Sequence, residues 1–391
     1  MANEPMRRVW PARVETAERV AERVHQRSAA APVTTGGHTV DDVYERLADA
    51  LDRLANGFPR TTSGVEIRLL QKMCSREEAA VAAVLTATPQ TSAVVADRSG
   101  AAVGRARALL KSLVERDQAW LSTTPGWRGY RLAPFVVGSY ETHMLATRDP
   151  EYAALVEEYL SCGGAAAIMA PRPAINRTVP ARAAVKEEWV LPYDDVRQLL
   201  LEADSFVLGD CVCRIQQEQI DQRRCDFPIA ACLWFSSGEP SAAQGTISRE
   251  EALAFLDRAE QIGLVHTVSN ITKGGGFVCN CCGCCCGLLR GITEWGIDHS
   301  VAQANYFAVI GPDECSNCGT CVERCQVRAI SAADDVPVID LALCIGCGLC
   351  VTGCPDQAAH LRPLPASEII TPPATFREWE EERLTHRAHH H

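Results

Sequence analysis

One cysteine pattern occurs twice in the C-terminal part of this chain, and it constrains the fold more than any other feature. The first copy reads Cys315-Ser-Asn-Cys318-Gly-Thr-Cys321-Val-Glu-Arg-Cys325 and the second Cys344-Ile-Gly-Cys347-Gly-Leu-Cys350-Val-Thr-Gly-Cys354-Pro355. Each follows C-x2-C-x2-C-x3-C. Three thiols on so tight a loop cap one face of a compact inorganic core. Gly319, Gly346 and Gly348 let backbone N–H groups approach the sulfurs with no Cβ in the way. Structural zinc sites show C-x2-C pairs with longer spacers, so the triplet-plus-one pattern argues against zinc here.

The spacing resembles that of the two-[4Fe-4S] ferredoxin module, over about residues 310–362. In that module the fourth cysteine of each run ligates the other cluster. The resemblance therefore implies Cys315, Cys318, Cys321 and Cys354 on one cluster, with Cys344, Cys347, Cys350 and Cys325 on the second.

A chain of 391 residues suggests two or three domains. No run of eighteen apolar residues occurs, so no membrane span is expected, and the charged N-terminus has no apolar signal core. Twenty cysteines without a secretory signal point to a reducing cytoplasm and metal ligation rather than disulfides. The net charge of −11 opposes a general nucleic-acid role. Residues 61–135, however, carry ten basic and six acidic side chains (+4), which leaves −15 for the rest.

Residues 1–60 read as an N-terminal helical segment and linker, with Val43, Leu47, Leu51 and Leu54 at helical spacing. Over 61–135 the pattern is that of a winged helix-turn-helix. A helix starts at the Ser75 cap, two helices meet at Ser99-Gly100, and strands follow at 119–123 and 129–132. Arg105, Arg107 and Lys111 fall on the second helix of that pair, the one that would enter a DNA groove. The competing expectation is a packing or dimerisation module with solvated basic residues, which would give a homo-oligomer. Residues 171–180 read as a proline-rich loop, and Cys74 and Cys162 as core residues.

Residues 136–308 form a cysteine-rich α+β domain. It carries Cys211, Cys213, Cys225 and Cys232, then Cys279, Cys281, Cys282, Cys284, Cys285 and Cys286. Thiols this dense select iron–sulfur clusters, zinc or Cu(I). Ten supply two four-cysteine sites with two left over, or one larger cluster with an open position. Extra iron–sulfur centres are favoured because a relay needs a terminus. Arg214, His266 and Lys273 are the candidate catalytic residues, supplying charge or protons. No G-x-G-x-x-G follows a strand, so neither NAD nor FAD is expected and electrons should come from a partner protein. Residues 309–362 are the ferredoxin domain, and 363–391 a tail whose three final histidines look like a tag remnant.

Taken together, this order resembles a group of bacterial and archaeal 4Fe-4S ferredoxin-type proteins of unassigned reaction, over about residues 60–360. The fold expected is α+β. The function expected is an iron–sulfur oxidoreductase that reduces a small acceptor or passes electrons on. A redox-sensing winged-helix regulator is the first rival, and a metal-trafficking protein the second.

Overall fold

The computed structural model describes residues 43–237, 245–332 and 336–390. Of the helical segment and linker expected over 1–60, residues 1–42 lie outside them, as does His391.

The N-terminal part is helical: α1 (Val43–Asp52), α2 (Val65–Met73) and α3 (Arg76–Ala82). α3 opens on a full capping box. The Glu78 N–H donates to Ser75 Oγ, and the Ser75 N–H donates to the Glu78 carboxylate at 2.9 Å. Two orphan donors of the first turn are thereby satisfied. α4 (Ser92–Ser99) ends at Gly100, whose φ of 71° supplies the left-handed stop. α5 (Val103–Glu115) and an antiparallel hairpin follow, β1 (Ala119–Thr124) with β2 (Trp127–Leu132). Six of the ten basic residues in this region sit on carboxylates. Arg68 meets Glu158, Lys72 meets Asp149 and Glu151, Arg105 meets Glu77, Lys111 meets Glu115, Arg116 meets Glu78, and Arg131 meets Glu380. The local positive charge is therefore largely offset where it arises.

α6 (Tyr140–Thr147), α7 (Pro150–Tyr159) and α8 (Ala165–Met169) lead to the central sheet. Cys74 is buried, and burial pushes its thiol up to about 12. Cys162, expected in the core, is instead exposed where the chain kinks between α7 and α8.

The sheet holds β3 (Asn176–Val179), β4 (Ser205–Asp210), β5 (Ala230–Ser236), β6 (Thr246–Ile247), β7 (Val265–Ser269) and β8 (Phe277–Cys281). Its order is β3-β7-β8-β5-β4-β6, every pair antiparallel. β3 lies in the segment expected to be a proline-rich loop. Its four residues are all buried, and Arg177 is held in the interior by Asp194 at 2.8 Å. One sheet face packs on α9 (Val196–Leu201) and α11 (Arg249–Ile262) through Leu200, Phe206, Leu233, Leu256 and Val278. The period of two then turns Cys232, Trp234, Phe277, Cys279 and Cys281 to the opposite face. Toward that face stand α6, α7 and α10 (Val212–Gln219), which pack on one another.

After α12 (Gly287–Thr293) the ferredoxin-like part begins with β9 (Tyr306–Ile310). It continues with α13 (Thr320–Arg324), β10 (Ile330–Ser331), β11 (Val338–Ile339), α14 (Leu349–Thr352) and β12 (Ala359–Pro363). β10 pairs with β11, and β9 with β12, so the second pair ties the ends of the module together rather than forming a hairpin. α13 and α14 each start on a left-handed glycine, Gly319 and Gly348. Arg324 clamps the module to α11, donating to Gln261 O at 2.9 Å, Glu260 O at 2.8 Å and Leu349 O at 2.8 Å.

The segment read as a tail forms α15 (Phe376–His390) and docks. Trp379 is buried and donates from Nε1 to Ala174 O at 2.9 Å. Arg383 is fully buried and spends its donors on the carbonyls of Ala55, Pro171, Pro173 and Ile168. No described helix is long and apolar enough to cross a membrane. Trp379→Ala removes a filled core position, and the expected cost is roughly 3–5 kcal/mol, read as a lower denaturation midpoint.

Candidate metal centre and the chamber beside it

The ten central cysteines separate into two groups with different connectivity. Cys225, Cys282, Cys284 and Cys285 have all four sulfurs within 4.8 Å of one another. Measured pairs are Cys225–Cys282 at 3.8 Å, Cys225–Cys285 at 3.8 Å and Cys284–Cys285 at 3.6 Å. They lie in a small apolar core of their own with Phe227, Ala259 and Leu264.

The other six form a closed ring. Cys211 contacts Cys213 and Cys232, Cys213 contacts Cys286, and Cys286 contacts Cys281. Cys281 contacts Cys279, and Cys279 returns to Cys232. The sheet builds much of this ring. Cys232 and Cys279 are register partners on β5 and β8, and Cys281 follows two residues along the same face of β8. Cys211 follows β4 and caps α10, Cys213 lies in the first turn of α10, and Cys286 caps α12. Each ring thiol thus has two near neighbours, and no three of these sulfurs lie within 4.8 Å of one another among the described residues. One tetrahedral ion, which needs four mutually close sulfurs, does not suit this ring, whereas a polynuclear core does.

Arg214 stands between the groups and is fully buried. It donates to Pro228 O at 3.0 Å and Asn280 O at 2.8 Å, contacts Cys282, and faces no carboxylate among the described residues. Its Nε has no oxygen or nitrogen partner. Burial alone would lower its pKa, yet the neighbouring thiols Cys211 and Cys282 hold it above the usual arginine value. A buried cation with an unspent donor among thiols fits an anionic metal–thiolate group.

All six ring cysteines line a cavity of about 100 Å³. A second cavity of about 450 Å³ adjoins it across the shared side chains of Val137, Glu141, Leu145, Asn176, Trp234 and Phe277, and the pair is termed the chamber. Its outer part lies among β1, α6, the sheet and α15, and reaches the surface beside Asp117. Junctions of this kind are common ligand sites. The wall is mostly apolar, with no lysine, arginine or histidine among the described residues that line it.

Two polar groups stand out in that wall, and sequence reasoning found neither. Glu141 lies in the first turn of α6 and accepts from the Gly138 N–H at 2.7 Å. Burial pushes its carboxyl up to about 8, with the charge of Asp117 adding to the shift. Its partly accessible surface is chamber wall, so the acid is desolvated while still facing open space. Asn176 Oδ1 is buried with no partner, while its Nδ2 donates to Thr267 at 3.3 Å. A glutamate in a helix's first turn is so common that sequence alone gave it no functional signal.

The candidate catalytic residues fare differently. Arg214 contacts the thiols but does not line the chamber, so it acts on cysteine charge rather than on a bound molecule. His266 is buried with both ring nitrogens engaged, Nδ1 with Asn280 Oδ1 at 2.7 Å and Nε2 with Glu260 Oε1 at 3.3 Å. It lies on the sheet face away from the chamber. Lys273 is exposed on the loop before β8, pinned by its backbone to Ala374 at 3.0 Å. Neither His266 nor Lys273 reaches the chamber. Arg290 pairs with Glu157 and Glu294, a structural tie.

In the C-terminal part Cys315, Cys318, Cys321 and Cys354 line one small cavity. Cys325, Cys344, Cys347 and Cys350 lie near one another, and burial pushes Cys350 up to about 12. Cys325, Cys344 and Cys347 pack against the same apolar core as Cys281 and Cys286. The next residue, Gln326, accepts from the Gly283 N–H at 2.9 Å. A Cβ on Gly283 would fall 1.9 Å from Gln326 O, so only glycine allows this approach.

Residues 314–359 match the family model described as a 4Fe-4S dicluster domain. No curated protein and no solved structure matches the chain. The C-terminal part of the chain thus carries a ferredoxin-type 4Fe-4S domain.

A carboxyl that titrates near 8 when folded and 4.5 when exposed binds more protons in the native state across that interval. Its contribution to stability is full below about 4.5 and declines until pH passes about 8. Melting temperatures should fall over this window, and Glu141→Gln should flatten the fall.

Proposed function

We propose that this chain is an iron–sulfur oxidoreductase in which the ferredoxin module passes electrons to the six-thiol ring, where a small uncharged acceptor in the chamber is reduced. The observation that carries this reading is that all six ring thiols line the chamber's inner end. Iron–sulfur groups on these thiolates supply one-electron transfers. The ligand sets of the two ferredoxin clusters are those implied by the spacing, with Cys354 and Cys325 exchanged between runs.

The protein's own residues do the rest. Arg214 offsets thiolate charge and so raises the reduction potential of what the ring holds. Gln326, adjoining Cys325, joins the module to the loop between Cys282 and Cys284 at Gly283. The apolar wall excludes water, and its lack of cations selects against anionic acceptors. Glu141, protonated at neutral pH, donates a proton to the reduced acceptor and regains one from the mouth at Asp117. Asn176 Oδ1 accepts a hydrogen bond from the bound molecule. Electrons arrive from a partner protein.

A regulator reading is favoured by a different observation. The order α3, the Gln90–Tyr130 bridge, α4, α5 and the β1–β2 hairpin supports the expected winged helix, and a groove lined by Arg107, Lys111, Arg128 and the exposed Trp127 runs beside α5. The paired basic residues weigh against it.

Anaerobic protein should contain clearly more than the about eight irons of two cubanes, with matching sulfide. Cys232→Ser should remove the excess and leave the module's EPR signal. Eight irons in the wild type would overturn the relay to the ring. Duplex binding with a steep salt dependence would favour the regulator.

A further inference from the structure

We infer that Cys225, Cys282, Cys284 and Cys285 hold a single thiolate-loving ion, zinc or iron, as a centre separate from the ring. The argument begins with distance. A tetrahedral ion with metal–sulfur bonds of about 2.3 Å places its four sulfurs roughly 3.8 Å apart. The three measured pairs are 3.6–3.8 Å, and all four sulfurs lie within 4.8 Å. A cubane binds each thiolate at a different corner iron, which spreads the sulfurs to roughly 6 Å. The quartet is too tight for it.

Connectivity agrees. Cys225 contacts Cys282, Cys284 and Cys285, and Cys285 contacts Cys282 and Cys284. Cys282 also contacts Cys284. Every sulfur therefore meets the other three, as the corners of a tetrahedron do.

Charge supplies an independent observation. A divalent ion with four thiolates carries −2. Two guanidiniums contact the quartet, Arg214 at Cys282 and Arg223 at Cys225. Arg223 is also held in place by donating to Cys225 O at 3.0 Å. Arg223 also pairs with Glu218 at 2.7 Å, so the two guanidiniums offset part of that −2 and Arg214 is the one committed to it. Binding releases the protons of those thiols that are still protonated.

The position gives the ion a task. Cys282, Cys284 and Cys285 form the turn between Cys281 and Cys286, two members of the ring. An ion that pins this turn, with Cys225 brought in from the loop after α10, sets the spacing of Cys281 and Cys286. Gly283 within the same turn meets Gln326. The ion therefore locks the ring to the ferredoxin module.

The test uses full-length protein purified anaerobically. The expected result is one equivalent of zinc with X-ray absorption showing only four sulfurs at about 2.3 Å, or one iron with the Mössbauer signature of a sulfide-free tetrathiolate site. Cys225→Ser should lower that metal at least tenfold while the module's EPR signal persists. Cys225→His, which keeps four ligands, should restore it. Wild type with neither zinc nor a sulfide-free iron would overturn the assignment, as would a Cys225→Ser protein that folds and keeps its metal. This readout is independent of the oxidoreductase reading, which fails on ring iron alone.

Discussion

A guanidinium taken fully out of water must spend its donors: Arg383 does so on four backbone carbonyls, whereas Arg214 reaches two and keeps an unpartnered Nε among thiols, with no carboxylate beside it among the described residues. Its surroundings are backbone carbonyls, the ring of Phe227 and thiols. An unpaired buried charge costs several kcal/mol. Anionic sulfur beside Arg214 would offset that cost, and metal binding is one way to hold the neighbouring thiols anionic. The sheet register, the turn at Cys282–Cys285 and the placement of α10 all converge on this one cation.

That dependence orders the molecule. α9 and α11 cover one sheet face with ordinary apolar packing, and the other face is given over to sulfur and to the chamber. The hairpin, α6 and α15 enclose the chamber from regions far apart in the chain. Arg131 illustrates the closure: it pairs with Glu380 at 2.7 Å and lies over Trp120 and Phe376 at 4.9 and 5.7 Å. A basic residue on the hairpin thus helps to roof the chamber, and it is not held out for a nucleic acid.

Some of this was legible in the sequence and some was not, for physical reasons. The two four-cysteine runs are local motifs, and a family model matches the same stretch. The cap at Ser75 also acts within one turn and opens a helix. The division of ten thiols into four and six was hidden, because it depends on strand alternation at Cys279 and Cys281 and on the register that sets Cys232 opposite Cys279. Asn176–Val179 sat among prolines and was read as loop, because its pairing with β7 comes from ninety residues away. His266 was singled out for its chemistry, but Asn280 and Glu260 occupy both its nitrogens. Glu141 gave no signal at all, since only its surroundings make it an unusual acid.

A ring has a property that a tetrahedron lacks. Six thiols, each touching two neighbours, can be joined into three disulfides in either of two alternating ways, and neither pattern is singled out by contact alone. Oxygen reaching an unfilled ring would therefore yield mixed products instead of one reversible state, and no single reductive step would undo them. Filling such a ring before it meets an oxidant would avoid that mixture.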